Sequence, residues 1–497
     1  MKTFLLDKIG LFDFYKKLTP SQQELVKDCE LDNILNVMAG NDKYVYNSSL
    51  KILTTPVYDK ETIYYRQEIL KDFIEHFEVL KELYDCTAYI VEKHEKDFWL
   101  MSNNPMPKDF IILGQLLKLY FSGLRSISNI VKKNKIQFKS EGIKNLFILF
   151  NKELNDEYLN EVEILLSEID PKKGVLLSAK LGKYCQGIEY TLRKIYSTTS
   201  KREIRKERYW WFASPFFRID FMEGDSVIDL NARKDAAYNS TLVSIINAAE
   251  NLRRFFQSFR NETAFYIGAF NLYQKIKTIG MPLCFPKVSD KQFSRSFNEA
   301  YDLSLALQIN ARVIGNDMSN EDTKLYIITG ANQGGKTTFL RSLVQCTLMM
   351  QAGIFVPAGS YRSYMTKNVF THFRKEEDIN LNSGKLDEEL VRMKNIISQL
   401  SSGSLVILNE SFASTNEIEG SEILMQIVSA LIESDVEVIA VTHLFEFADR
   451  VNKSIKNHTV FYIAERLEDG NRSFKLKEGL PIQTAYADDI YKMIFGE

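Results

Sequence analysis

"KLYIITGANQGGKTTFLRSLVQCTLMMQAG", residues 324 to 353, decides the fold of the half of the chain in which it lies. An apolar run stops at a glycine-rich turn, and beyond Lys336 the apolar residues recur at helical spacing, which predicts strand, tight loop and helix. Gly330, Gly335, Lys336 and Thr337 fit G-x-x-x-x-G-K-[ST] in the context that this pattern requires. Glycines lack Cβ atoms, so the backbone of Gly330, Ala331, Asn332, Gln333, Gly334 and Gly335 can curl with successive N–H groups aimed at phosphate oxygens. The helix beginning at Lys336, Thr337 and Thr338 adds its partial positive N-terminus. Lys336 would reach the outer phosphates of ATP, and the Thr337 hydroxyl would ligate Mg2+. A glycine-rich turn that binds nothing is the bland alternative, and the flanking strand and helix argue against it.

Two further apolar runs end in polar residues. "SLVILNE", residues 404 to 410, ends in Asn409 and Glu410, where P-loop ATPases of the ABC type carry a Mg2+-associated Asp followed by a catalytic Glu. Glu410 would polarise the attacking water as general base. Asn409 stands where the Asp is usual; an amide still accepts from a metal-bound water but removes a full charge, so weaker Mg2+ binding or slow turnover is expected. "VEVIAVTH", residues 436 to 443, ends in His443, where ABC-type ATPases carry a γ-phosphate-contacting histidine; the alternative is a structural role, the usual one for a lone histidine. The other histidines have no metal-ligand spacing among themselves.

Working outward, the residues before about 280 form long stretches such as "FIILGQLLKLYFSGLRSISNIVKK", apolar at i, i+3, i+4 and i+7, and that half is expected to be all-α. After about 300, short β-rich runs alternate with helical segments, the signature of an α/β domain. The Pro-bearing segment "GMPLCFPKVSD" marks the junction, giving a helical region 1–290 and an α/β P-loop ATPase domain 291–497. The 497 residues allow two to four domains, and 63 Lys plus Arg against 65 Asp plus Glu leave no polycationic character, so a nucleic-acid surface must be a local patch. Five scattered cysteines fit reduced packing residues, and the absence of a signal peptide or 18-residue apolar run leads to a cytoplasmic expectation with no membrane partner.

These motifs resemble the ATPase domain of the MutS family of DNA mismatch-repair proteins. "TGANQGGKTT" is similar to the family's TGPNxGGKST, and "GIFVPA", residues 353 to 358, looks like its G-x-x-V-P-A. Asn332 matches a loop asparagine that in the family senses the γ-phosphate. Thr415 and Gly420 fall where the family has DEIGRGTSTYDG, although the Arg-Gly pair is missing. "LTTPVYDKETIYYRQEIL", residues 53 to 70, resembles the opening of the family's core domain, with Pro56, Arg66 and Gln67 at matching places. Locally, Pro56 can end one helix and start another, and Arg66 can satisfy helix-end carbonyls. The resemblance covers about 320–450, is fainter over 30–75 and 240–290, and is not visible between. It implies helical core and lever segments, ATP and Mg2+ as cofactors, and a homodimer in which a partner segment closes each nucleotide. It also implies the lack of an N-terminal mismatch-reading domain.

For the closing segment the candidate is "NLNSGKLDEELVRMKNII", in which Ser383 and Gly384 open a helix; either its N-terminus faces a partner's γ-phosphate or Ser383 is a simple cap. The densest basic stretch, residues 193 to 212, carries Lys201, Arg202, Arg205, Lys206 and Arg208 beside Trp210 and Trp211. It is either a nucleic-acid contact or a solvated helix face, since Glu203 and Glu207 intersperse the cations. A second, weaker patch is Lys132, Lys133 and Lys135. The expected function is an ATPase driving a dimeric clamp on mismatched, branched or otherwise irregular DNA in repair or recombination, with other repair proteins as further partners. The alternatives are an ATP-gated clamp on ribosomes or structured RNA, and a non-hydrolysing nucleotide switch.

Overall fold

Short polar residues start the first helices. Thr19 and Gln22 form a reciprocal capping box on α1 (Pro20–Asp28). After α2 (Leu31–Ala39), Asp42 accepts from the Tyr44 and Val45 amides to open α3 (Lys43–Leu53), and Asp59 accepts from the Thr62 amide to open α4 (Lys60–Glu75). Then come α5 (Phe77–Asp97), α6 (Phe110–Lys133), α7 (Glu141–Ile148) with a π-helical turn at Leu149–Glu153, and α8 (Asp156–Glu168). A hairpin of β1 (Leu176–Leu181) and β2 (Gly187–Arg193) precedes the 56-residue α9 (Gly224–Ile279). The computed structural model describes residues 2–8, 10, 12–97, 110–134, 138–168, 176–183, 187–193, 224–330, 334–375, 384–455, 457–466 and 472–481.

The antiparallel hairpin corrects the all-α expectation for the first half. LLSAKL and GIEYTLR are six- and seven-residue runs, too short for a stable helix, and the second carries Ile188, Tyr190 and Thr191, residue types that favour pairing.

The chain divides into two compact units. One comprises 1–3, 81–137 and 144–260. In it α5, α6 and α9 pack closely at Gly123, where a Cβ would lie 2.8 Å from both Ile90 and Phe256. The other comprises 4–80, 138–143 and 261–497, so helices α1 to α4 share a unit with the α/β elements. Residue 290 thus marks a change of secondary structure, whereas the compact units divide elsewhere.

In the second unit β3 (Lys287–Val288), β4 (Arg295–Ala300), β5 (Asn316–Asn320) and β7 (Ser360–Ser363) make a small sheet ordered β3-β7-β4-β5. Helix α10 (Leu303–Ile309) lies between β4 and β5 in sequence. The main sheet holds β6 (Leu325–Thr329), β8 (Val369–Phe373), β9 (Leu405–Asn409), β10 (Glu437–Val441), β11 (Thr459–Arg466) and β12 (Arg472–Glu478), ordered β12-β11-β6-β10-β9-β8. All neighbours are parallel except β11 and β12. The central runs LYIIT, LVILN and EVIAV are buried on both faces, as a parallel sheet covered by helices requires. Each fully buried Ile or Val contributes about 1.5–3 kcal/mol.

Helix α11 (Lys336–Ala352) is buried over most of its length, while α13 (Glu417–Glu433) and α14 (Phe445–Ser454) share a core with the sheet through Leu424, Val428, Phe447 and Val451. Helix α12 (Lys385–Ile397) adds Met393 and Ile396 to that core. The N-terminal helices hold α11 directly. Arg66, which is buried, donates from Nε to Leu6 O (2.8 Å) and from Nη1 to Ala352 O (3.3 Å), capping the helix's negative end. Gly353 fits against it because a Cβ there would come within 2.5 Å of the Arg66 side chain. Gln67 donates to Pro286 O, and Arg341 of α11 pairs with Glu30 at 2.7 Å.

A buried ion pair joins the two sheets. Arg295 of β4 and Glu437 of β10, both fully inaccessible, meet through two hydrogen bonds of 2.8 and 2.7 Å. Tyr364 donates to the same carboxylate at 2.6 Å, and Thr347 and Tyr361 complete the guanidinium's partners. Such a pair holds only with all its bonds made, because one charge alone would be stranded in the interior.

Candidate functional site

The loop after β6 turns on two glycines in left-handed geometry. Gly330 has φ +124° and Gly335 φ +85°. A Cβ on Gly330 would meet Ala464 of β11 at 2.9 Å, so the loop presses onto the neighbouring strand and leaves no room for a side chain. Gly335 is the N-cap of α11 and provides no side-chain cap, so the first amides of α11 face the loop. Ala331, Asn332 and Gln333 lie outside the described residues.

Gly334, Gly335, Lys336, Thr337, Thr338 and Glu410 line one cavity of about 410 Å³. Leu305, Val313, Ile314, Asn316 and Phe474 complete its lining, with Phe474 next to Gly335. Asn316 fixes that part of the lining by donating to Phe474 O (3.3 Å) and accepting from the Leu476 amide (2.7 Å). Lys336 is 5 % exposed, and its ammonium donates to Gly330 O at 2.7 Å. Burial pulls its pKa down to about 8, against the opposing pull of the nearby Glu410 carboxylate.

Glu410 and His443 come from the ends of adjacent parallel strands, β9 and β10, which brings together residues 33 positions apart. His443 Nε2 lies 3.0 Å from Glu410 Oε1 and 3.4 Å from Lys336 Nζ. One ring nitrogen cannot donate to the carboxylate and accept from the ammonium at once; the shorter, charge-assisted bond assigns the proton to Nε2, donating to Glu410. That bond holds the Glu410 carboxyl below its ordinary range, with burial opposing. Glu410 therefore stays ionised, as a base must.

Thr337 Oγ1 donates to Asn409 Oδ1 at 3.5 Å. Among the described residues no group of three or more His, Cys, Asp or Glu could hold a metal ion. Two neutral oxygens beside the cavity can still hold Mg2+, which keeps waters and takes its remaining ligands from a nucleotide, although without the carboxylate that usually strengthens such a site.

Several residues came together without a signal strong enough to find them. Arg374 follows β8, donates its amide to Asn409 O (3.0 Å) and brings its guanidinium to 3.8 Å from Glu410. Its position just past a strand's carboxyl end was the available clue. The apolar wall comes from segments some 160 to 170 residues apart, Leu305 to Ile314 and Phe474, with no local pattern.

Gly384 is the N-cap of α12 and makes no side-chain cap; Ser383 lies outside the described residues, as do Lys201, Arg202, Arg205, Lys206 and Arg208. In the weaker patch Lys132 pairs with Asp156 and Lys133 with Glu82, both at 2.6 Å, which uses their charge internally; Lys135 is outside the described residues. Gly420 sits where a Cβ would be 2.6 Å from Phe412 O, so its place in the sequence reflects a close approach of α13 to the Glu410 loop. No helix among the described residues is long and apolar enough to cross a membrane.

Comparison with known proteins adds two family matches. Residues 58–279 match the MutS2 N-terminal domain and residues 326–487 match MutS domain V. The first match runs through 76–239, where the sequence reading found no resemblance. A stretch of 175 residues is 33% identical to endonuclease MutS2 of Bacillus velezensis, covering 34% of this chain and 22% of that protein. DNA mismatch repair protein MutS of Syntrophomonas wolfei is 30% identical over 174 residues, 34% of this chain and 20% of that protein. Endonuclease MutS2 of Listeria monocytogenes is 27% identical over 272 residues, 52% of this chain and 34% of that protein. The matched stretches therefore span about a third or less of these relatives' own lengths.

Proposed function

Because the chain belongs to the MutS family, we propose that it is an ATP-dependent DNA-binding ATPase whose nucleotide state sets the geometry of its helical segments on DNA. The observation that carries this reading is the meeting of Glu410, His443 and Lys336 beside a cavity floored by Gly334, Gly335, Thr337 and Thr338. The ABC-type P-loop assignment for 291–497 and the core and lever assignment for 1–290 belong to the same proposal.

In this reading the backbone amides from Gly330 to Lys336 and the start of α11 bind the phosphates, and Lys336 neutralises charge that develops on the outer one. Thr337 and Asn409 would hold Mg2+, which would supply positive charge to neutralise the phosphates. Leu305, Val313, Ile314 and Phe474 offer the nucleobase an apolar surface. Glu410, kept ionised, takes a proton from the attacking water; His443 orients that carboxylate and stabilises the γ-phosphate. Two chains would act together, with the Ser383–Gly384 end of α12 from one meeting the nucleotide of the other.

The DNA is proposed to be mismatched, branched or otherwise irregular. Competition binding among branched DNA, plain duplex and ribosomes, with and without ATP, tests it. Preference for branched DNA that changes with ATP is expected; preference for ribosomes overturns the DNA assignment in favour of a ribosome clamp. Asn409 favours a second reading, a switch that binds ATP without turnover. Steady-state hydrolysis by the wild type, abolished in Lys336→Ala, is expected and removes that second reading.

A further inference from the structure

The turn that carries Glu410 is strained. Glu410 (φ +54°) and Phe412 (φ +60°) both adopt left-handed backbone, which side chains larger than glycine rarely do. Two such residues within three positions persist only where the surroundings hold them. Phe412 N donates to Glu389 Oε2 at 2.7 Å, and Glu389 lies on α12. The backbone carbonyl of Glu389 also accepts from His372 Nε2 at 3.1 Å. That bond leaves His372 Nδ1 without a proton and 2.7 Å from the Ser411 hydroxyl, which also donates to His372 O at 2.9 Å, so the one hydroxyl proton is shared between two acceptors on His372. The His372 ring stacks on Phe412 with centroids 5.4 Å apart, and burial keeps the imidazole neutral, its pKa pulled down to about 4. Phe412 is thus tied directly to α12 through the Glu389 side chain, and Ser411 indirectly through His372, while the Glu410 amide donates to Val441 O at the end of β10.

We infer that Glu389 is a positioning residue for Glu410: by fixing the Phe412 amide it sets where the general base stands and ties that place to the position of α12. This rests on the hydrolytic reading of the site. Glu389 is buried and does not line the nucleotide cavity; besides bonding the Phe412 amide, its carboxylate lies close to Ser414 of the same loop, with Arg392 and Arg374 nearby. Because α12 begins at Gly384, a contact made at its first turn is transmitted to Glu410 through the single turn of helix from 385 to 389. The link gives the enzyme a mechanical route by which engagement of that helix end alters turnover without touching bound nucleotide.

Reach, not charge, is the property required, since the acceptor for an amide can be a carboxylate or an amide oxygen. Glu389→Gln keeps reach and loses charge; Glu389→Asp keeps charge and retracts the oxygens by about 1.5 Å. The test measures kcat and KM for ATP hydrolysis, and amide hydrogen exchange of residues 409 to 415, in wild type, both variants and Lys336→Ala. The expected result is near wild-type kcat for Glu389→Gln. For Glu389→Asp, kcat should fall about tenfold or more with KM within about twofold, and exchange at 409 to 415 should rise. Both variants keep a buried polar group of similar size, so folding is preserved. Equal kcat in Asp and Gln variants, or a loss in Gln as large as in Asp, overturns the positioning role alone. Wild-type protein no faster than Lys336→Ala overturns the hydrolytic reading and this inference with it.

Discussion

Replacing Asn409 by Asp would put a full negative charge beside the Thr337 hydroxyl, which now donates to the Asn409 side-chain oxygen across 3.5 Å. A carboxylate about 4 Å from a cation gains ~4 kcal/mol per unit charge at an effective dielectric of 20. Repulsion from Glu410, one residue on, and desolvation of the new carboxylate offset much of that. For the two charges of Mg2+ the gain is about 8 kcal/mol, and retaining only about a sixth of it leaves about 1.4 kcal/mol, or about tenfold in the affinity for Mg2+. The assay is steady-state phosphate release against free Mg2+ at saturating ATP, with wild type and Asn409→Asp side by side. The half-saturating Mg2+ concentration should fall about tenfold and the maximal rate should rise. An unchanged half-saturation point together with an unchanged rate would refute the reasoning, because it would mean that position 409 does not face the metal.

The pKa of Lys336, lowered to about 8 by burial, gives ATP binding a pH dependence. The charged form binds phosphate, so affinity is full below that value and declines above it: about tenfold lost between pH 7 and 9, measured by calorimetry, and flattened in Lys336→Arg. Gly330→Ala, strained at φ +124° and meeting Ala464 at 2.9 Å, should lower the melting temperature and abolish nucleotide binding. Gly335→Ala, whose nearest neighbour would be 3.5 Å away, should be milder in the same melting scans, costing about 1–2 kcal/mol for its left-handed φ alone. Arg66→Met removes the bonds to Leu6 and Ala352 and should destabilise the unit by about 2 kcal/mol in denaturant titrations, with loss of ATP affinity as α11 loosens.

Much of this was legible because it is local. KLYIIT, SLVILNE and VEVIAVTH each became a central strand of one sheet, since a parallel strand buried on both faces must be an uninterrupted apolar run, and HTVFYIAE became the partly buried β11 beside them. Once those strands stand side by side, the residues at their carboxyl ends converge; Lys336 was named from the glycine-rich pattern, and Glu410 and His443 from the resemblance of their positions to those in ABC-type ATPases. The arrangement of α1 to α4 around α11 was not legible. Arg66 was read as a partner for helix-end carbonyls, and one such carbonyl is Ala352, yet nothing near position 66 says which helix, 286 residues away, supplies it. Glu389 was invisible for the same reason: its sequence neighbours read as one amphipathic helix, and its role depends on the φ angle of residue 412. The hairpin at 176–193 was missed because two short runs inside a helical half were absorbed into the helical pattern.

The buried bond between Arg295 and Glu437 spans 142 positions of chain. During synthesis the guanidinium leaves the ribosome long before its carboxylate exists, at roughly 5–20 residues per second some seconds earlier. Neither sheet can close around a lone cation, so the nascent protein must wait, half assembled, until position 437 has emerged. Any chain terminated upstream of that point would carry a permanently orphaned arginine and should be cleared by cellular quality control, not accumulate as a partial ATPase.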